Sequence, residues 1–522
     1  RTPLFGTRIE TIDTLEPSTK YYYRFRFGGI IDTTIGRFRT FPTEGSVGPL
    51  KIVVGSCNYT PNPELFSRIK NLDPDLFIHL GDWNWPPAQF GNDMMLYPSK
   101  QSASFASRYR DESMRTSIMP YTPVDYVYDD DFSWNDGEGW TYPTFTVSVD
   151  SNGSAQTQLY TNPMPAGIRE GAIQAYFNYF PAYPPVDTSA GIYHSFIIGN
   201  VEFLMLDLRN NRQPRHEAFH YDSLTGLWSY QPAPHHTMMG ETQRAWLIYK
   251  LTHPQTDWTV IGSSIVFNKN YDTILNVGIG LQHVALNIAG GLNSGLVLAS
   301  QMSYCWDGYP YDQDTILKMA QQGIVKNTVV ISGDSHSSMI DDGTNAGLPE
   351  LSSSGMAAND EGTINYYFDQ YTPLLGFGHI GNILWNGGGS GIFNNDTLDS
   401  YGTIDVFGKD SMRLCVFDKH GVQLGCTTIL HNDGISAINY LGGNLPIKTY
   451  PNPGQGLLVL ETSLDDYNLV ITDILGRVEY QSPHNSRKIS LNIQKLSPGL
   501  KIISVKDNAN PSVTGYARWV KL

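Results

Sequence analysis

Residues 51–82 read KIVVGSCNYTPNPELFSRIKNLDPDLFIHLGD. Lys51–Val54 is a β-branched apolar run that stops at Gly55-Ser56-Cys57, the pattern of a buried strand. Pro63–Lys70 has helical spacing and follows a turn-rich segment, and Leu76–Leu80 is a second apolar run that stops at Gly81-Asp82. Strand, helix and strand within about thirty residues make a βαβ unit. Both strands then end on one edge of a parallel sheet, where open α/β sheets place their chemistry. Cys57 and Asp82 stand just past those ends. A thiol and a carboxylate there read either as a buried structural Cys beside a turn Asp or as ligands of a metal ion. A further strand end favours the metal: Asn327–Ser332 is followed by Gly333-Asp334-Ser335-His336. Three strand ends that each deliver ligand-type side chains are hard to explain by packing alone.

At 522 residues the chain is too long for one core. Its net charge of −15 argues against nucleic acid as a partner, and an anionic substrate would need local cations of the kind bound metal supplies. No apolar run reaches the length of a membrane span, and no signal-peptide pattern is read at Arg1. Cys415 and Cys426 flank a hairpin turn signal, Asp418–Gly421, and read either as a cross-strand disulfide or as two free thiols. Cys57 and Cys305 read as unpaired.

Residues 1–47 are strand and turn throughout, and Leu15–Tyr23 is similar to the tyrosine-corner segment of a fibronectin type III sandwich, with room for about half its strands. A partial N-terminal fibronectin III-like β segment is therefore expected over 1–47. Residues 48–433 form an α/β body. Helices are expected over Arg108–Met119, Arg169–Tyr179, Glu241–Leu251 and Thr315–Gln322, strands over Val201–Asp207 and Trp258–Phe267, and a polar hairpin over 141–162. Residues 434–446 read as a linker, and 447–522 as short alternating strands of a small β-sandwich.

The ordered set Gly55-Ser56-Cys57, His79-Leu80-Gly81-Asp82, Asp129-Asp130-Asp131 with Asn135, Leu206-Asp207-Leu208-Arg209, Gln243–Leu247, Trp306-Asp307-Gly308-Tyr309 and Gly333–His336 resembles the PhoD-like metallophosphatases. The resemblance covers roughly residues 1–430. It implies an α/β (α+β) body of layered β-sheets flanked by helices. It also implies a secreted, metal-dependent phosphoric ester hydrolase, an alkaline phosphatase or phosphodiesterase that uses Fe³⁺ and Ca²⁺, with Zn²⁺ or Mg²⁺ as alternatives. On that resemblance Cys57 and Asp82 hold the first metal and Asp82 bridges to the second. Asn135 and a carboxylate of the acidic cluster, Asp129 or Asp130, complete the second, and Asp334 and His336 close the site. Arg209 is the candidate for stabilising charge on the phosphoryl oxygens, its plainer reading being a surface salt bridge at a strand end. Trp85 stands where the family places a metal-binding Tyr, and the acidic motif lacks the family's His. These departures keep a second reading open, a non-catalytic surface or binding protein on a degenerate phosphatase scaffold. His79 reads as a core residue and His235-His236 as exposed loop residues.

The C-terminal segment carries Tyr450-Pro451-Asn452-Pro453, Asp473–Arg477, Leu496-Ser497-Pro498-Gly499 and a terminal Lys521-Leu522. This set resembles a type IX secretion sorting domain. It implies export machinery at the outer membrane as a partner and a final location outside the cell.

Overall fold

Most of the apolar runs become strands that are buried on both faces, which is why they show little alternation in sequence. The computed structural model describes residues 9–58, 62–83, 112–129, 138, 141–164, 167–187, 189–269, 271–288, 291–335, 338–343, 347–357, 399–432, 447–450, 456–473, 478–497, 499–509 and 514–521. Two compact units are present, Arg1–His431 and Asn432–Leu522.

In the first unit the framework strands are β1 (Pro49–Gly55), β2 (Leu76–His79), β3 (Val124–Tyr126), β4 (His194–Ile198), β5 (Val201–Met205), β6 (Trp258–Gly262), β7 (Thr328–Ser332), β8 (Ser338–Asp342), β9 (Pro349–Ser353), β10 (Ser400–Phe407), β11 (Ser411–Asp418) and β12 (Gln423–Leu430). They form two six-stranded sheets, ordered β12-β11-β10-β1-β2-β3 and β4-β5-β6-β7-β9-β8. Strands β1, β2 and β3 run parallel, as do β5, β6, β7 and β9, and antiparallel strands flank each parallel block.

Side chains alternate across the second sheet with period two. Phe203, Met205, Val260, Val329 and Ile331 enter one core together with Ile52, Val54, Phe77 and Ile404 of the first sheet. Leu204, Leu206, Ile261 and Val330 enter another, under helices α3 (Gly240–Thr252) and α5 (Pro310–Gln321). The sheets are therefore layered on each other, with helices over the outer face of the second. Helix α1 (Pro63–Asn71) is the crossover between β1 and β2; the Asn62 side chain accepts from Leu65 N–H, Pro63 opens the first turn, and Leu65, Phe66 and Ile69 are buried. Helices α2 (Ile168–Tyr179) and α4 (Gly295–Met302) also belong to this unit, as does a further helix over Tyr271–Gly280.

Several boundaries differ from the sequence reading. The strand expected over Trp258–Phe267 ends at Gly262, because the chain must turn at Ser263-Ser264 to reach the sheet edge. The helix expected from Thr315 begins five residues earlier, at Pro310. Of the helix expected over Arg108–Met119, Glu112–Ser117 is helical, and residues 108–111 lie outside the described residues. The polar hairpin is present, with Thr141–Val149 paired to Ala155–Pro163.

Near the N-terminus, Lys20–Tyr23 pairs with Gly36–Arg39 and Arg26–Phe27 with Ile30–Ile31, giving two short ribbons. Lys20 and Arg37 both reach Asp73, so the first ribbon is tied to the turn after α1. Cys415 and Cys426 face each other across β11 and β12 and are joined by a disulfide, which settles that alternative; Cys57 and Cys305 are free and buried.

The second unit holds a three-stranded sheet (Lys448–Tyr450, Leu457–Glu461, Lys488–Asn492) and a four-stranded sheet (Tyr467–Asp473, Val478–His484, Gly499–Asp507, Thr514–Lys521). Leu458, Leu460, Leu469, Ile471, Ile503, Val505 and Trp519 form its core. The expected linker, 434–446, lies outside the described residues. Among the described residues no helix is long and apolar enough to cross a membrane.

Candidate active site

Parallel strands of both sheets deliver their carboxyl ends to one place. Cys57 follows β1, Asp82 follows β2, Asp129 follows β3, Asp207 and Arg209 follow β5, Ser264 follows β6, Asp334 follows β7 and Ser354 follows β9. Cys57, Asp82 and Asp334 all have left-handed backbones, with φ of 57°, 57° and 66°. A side chain at positive φ is uncommon, and for Cys it is costly. Three such residues at three adjoining strand ends mark backbone held in place by its surroundings. Hydrogen bonds do the holding: Cys57 N–H donates to Gly81 O at 3.1 Å, Asn58 N–H to Asp82 O at 3.0 Å, and Ala357 N–H to Cys57 O at 3.2 Å.

The glycines at these ends allow the approach. A Cβ on Gly81 would lie 2.5 Å from Asp129 Cβ, and one on Gly333 would lie 2.6 Å from Ser56 Oγ and 3.0 Å from Leu80 O. Glycine is therefore required there to bring the ends of β1, β2, β3 and β7 together.

Cys57 Sγ lies 3.7 Å from Asp82 Oδ2 and accepts from Ser354 Oγ at 3.2 Å. Burial pushes the Cys57 thiol well up, and the Asp82 and Asp334 carboxylates add to that shift. A buried thiol between two carboxylates is electrostatically unfavourable by itself, and a cation reverses the sign of the environment. Sulfur with carboxylate oxygen is the donor set of a transition-metal ion, so these residues fit one. No ready-made group of three His, Cys, Asp or Glu side chains closes as a metal cage among the described residues. The expected ligands Asp130, Asn135 and His336, and the departure at Trp85, lie outside the described residues.

Two sequence expectations change. Asp129, expected as a metal ligand, pairs with Arg209: Nε donates to Oδ1 at 2.8 Å and a terminal nitrogen to Oδ2 at 2.6 Å, with Ser264 Oγ donating to Oδ1 at 2.5 Å. Burial opposes ionisation of Asp129, and the Arg209 guanidinium overcomes it, so the carboxyl is held below its usual range. Arg209 is fully buried, which removes the surface salt-bridge reading, and its guanidinium also lies 3.7 Å from Asp334 Oδ1. The second change is His236. It is buried, 3% exposed, and stacks on Tyr309 with ring centroids 4.8 Å apart, whereas His235 stays exposed as expected.

Other functional neighbours escape sequence reading. Tyr304 donates its hydroxyl to Asp334 Oδ2, and the Arg209 guanidinium lies over its ring at 5.5 Å. Asp207 caps the turn that carries Arg209, accepting from the N–H groups of Arg209 and Asn210 at 3.1 and 3.0 Å. His79 is buried as expected, but its Nε2 also sits 2.6 Å from Asn58 Oδ1 and so fixes the residue next to Cys57.

Comparison with known proteins bears on this geometry. The PhoD-like phosphatase family model matches residues 147–364, and the secretion system C-terminal sorting domain model matches 448–516. Alkaline phosphatase D of Bacillus subtilis is 23% identical over 346 residues, 62% of this chain. The chain spans about half the length of that relative, 52%. A solved structure of PhoD superimposes with a TM-score of 0.52 at 19% identity, covering 80% of this chain and 79% of the other, and so shares its fold. A purple acid phosphatase from yellow lupin covers 80% of this chain and 61% of its own at 12% identity, with a TM-score of 0.41. Residues 147–364 are thus similar to a PhoD-like phosphatase domain, and residues 448–516 to a secretion-system C-terminal sorting domain, which implies a location at the cell surface or beyond.

Proposed function

We propose that the strand-end site hydrolyses phosphoric esters with the help of bound metal. The observation that carries this is that Cys57, Asp82 and Asp334, each in left-handed backbone, follow strand ends at the edge of two sheets, with Cys57 Sγ 3.7 Å from Asp82 Oδ2 and both carboxylates acting on the thiol. Cys57, Asp82 and Asp334 would hold the first ion, with His336 as a further ligand; Asp82 would also serve the second, together with Asn135 and Asp130. A two-metal centre, when bound, supplies positive charge to the phosphoryl oxygens and acidity to a water. Iron and calcium are the pair the sequence resemblance implies.

The chain's own residues do the positioning. Arg209 is locked by Asp129 and Ser264 and keeps its cationic face within 3.7 Å of Asp334. That guanidinium is preorganised for negative charge that grows during attack at phosphorus. Tyr304 fixes one oxygen of Asp334. The net reaction adds water across the phosphorus–oxygen bond and releases an alcohol and a phosphate, or a monoester when the substrate is a diester. The sorting domain would hand the chain to the type IX secretion machinery, so that the reaction takes place outside the cell.

The test is elemental analysis with turnover of chromogenic phosphate mono- and diesters, on native protein and on Asp82→Asn and Asp334→Asn. Native protein is expected to hold metal and turn over at least one ester class, with turnover reduced at least about a hundredfold in each variant. Native protein that takes up no metal and hydrolyses neither class would leave the binding-scaffold reading standing instead.

A further inference from the structure

Three arginines follow β5 at intervals of three, Arg209, Arg212 and Arg215, and all three are buried. A buried guanidinium needs a counter-charge. Arg209 has Asp129, and Arg215 has Glu138, with Nε 3.3 Å from Oε1. Arg212 donates from Nε to Leu208 O at 2.9 Å, but both of its terminal nitrogens are buried with no hydrogen-bond partner among the described residues. Among the described residues no carboxylate hydrogen-bonds those nitrogens: Glu138 and Asp129 act on Arg212 only through their charge, and Glu138 is engaged by Arg215, through both the side chain and the Arg215 N–H. Burial lowers the Arg212 pKa, and the like charge of Arg209 lowers it further.

Other buried ring nitrogens without a partner among the described residues gather beside it. The Arg212 guanidinium lies 5.4 Å from the Tyr309 ring, on which His236 stacks. His236 Nε2 and His216 Nδ1 are both buried without a hydrogen-bond partner among the described residues. The two arginines that flank Arg212 in sequence lie against Tyr304, Arg209 at 5.5 Å and Arg215 at 5.7 Å from its ring, and the Tyr304 hydroxyl reaches Asp334 at the strand-end site.

We propose that Arg212, with His236 beside it, is an oxyanion receiver that takes the phosphoryl group of the ester presented to Cys57, Asp82 and Asp334. This rests on the hydrolase reading for its substrate and on the structure for its chemistry. A guanidinium with two open nitrogens presents a planar fork that matches two oxygens of a phosphoryl group. An anion there supplies the hydrogen-bond acceptors that the Arg212 terminal nitrogens lack among the described residues. Arg209, closed on one side by Asp129, keeps the face it turns to Asp334, and Arg212 is a second arginine offered to the phosphoryl oxygens.

The test uses the full chain and inorganic phosphate as the probe. Binding is measured calorimetrically on chelator-treated protein, and phosphate inhibition of ester hydrolysis is measured on metal-loaded protein. Arg212→Gln is expected to weaken phosphate binding at least about tenfold, and Arg212→Lys and His236→Ala by smaller factors. Phosphate is expected to compete with the ester. A folded Arg212→Gln protein that binds phosphate as the native chain does overturns the proposal, and so does phosphate that binds through Arg212 without competing with ester. If Arg212→Gln does not fold, unchanged phosphate affinity in both Arg212→Lys and His236→Ala overturns it. Asp82→Asn separates the two readings: it removes turnover under the hydrolase reading and leaves phosphate bound to the chelated protein. Native protein that binds phosphate through Arg212 but hydrolyses no ester upholds the receiver and removes the hydrolase.

Discussion

At the scale of single residues, Gly81 and Asp129 show how tightly the site is built. Gly81 has φ of 104°, and an added Cβ would meet Asp129 Cβ at 2.5 Å. Gly81→Ala is expected to lower unfolding stability by about 2 kcal/mol or more, read from urea midpoints, because both backbone and contact oppose it. Asp129→Asn leaves the Arg209 cation buried beside a neutral amide. A loss of about 3–5 kcal/mol is expected from breaking one side of a buried pair, measurable in the same unfolding curves. A fall under 1 kcal/mol would mean that Asp129 is not what balances Arg209. Sequence shows Asp129 and Arg209 as ligand-type residues at strand ends, but their pairing joins positions 80 residues apart, and no local pattern encodes it. His236 is hidden in the same way, since its burial comes from the Tyr309 ring far along the chain.

At the scale of elements, β7, β8 and β9 carry a buried carboxylate with a pH signature. Glu350 lies in β9 opposite Asp341 of β8, and its Oε1 accepts from Ser332 Oγ at 2.6 Å and Phe267 N–H at 2.9 Å. Burial raises its carboxyl from the usual 4.5 to about 7, against those hydrogen bonds. A folded pKa above the unfolded value means that the folded chain binds more protons between the two. The contribution of Glu350 to stability is therefore present below about pH 4.5 and is lost as pH rises through about 7. Glu350→Gln, which keeps the shape, is expected to raise the urea midpoint at pH 8 and to leave it unchanged at pH 4.5. A midpoint that moves equally at both would show that the carboxyl does not titrate in this range. The strands themselves are legible because β-branched runs closed by glycine have few alternatives, and β1, β2 and β7 appear in sequence at nearly their observed ends. Helix α4 is not legible: Gly295, Leu296, Leu298, Ala299, Ser300 and Met302 are all buried, so there is no polar face to give a helical period.

At the scale of the whole molecule, the two units have cores that share no residue. Deleting Asn432–Leu522 is expected to leave the unfolding midpoint of the first unit within about 0.5 kcal/mol and its ester turnover unchanged, while release from the producing cell is lost. A deletion variant that is exported normally would show that the C-terminal unit is not the address. The layered body and the C-terminal sandwich are legible from composition and strand spacing, whereas the layering of one sheet on the other depends on contacts between distant strands.

The Cys415–Cys426 crosslink has a consequence for how such a chain matures where thiols are oxidised. Its two sulfurs sit on consecutive strands joined by a tight reversal, 11 positions apart, so they meet early and often in the emerging polypeptide. Closing that short ring first takes both of them out of any shuffling and leaves positions 57 and 305 to be enclosed without mates. The soft sulfur just past β1 would thus owe its reduced state to a hairpin elsewhere in the same sheet. Replacing both hairpin cysteines by serine would then spare that sulfur a rival, whereas replacing one alone would set a loose thiol against it.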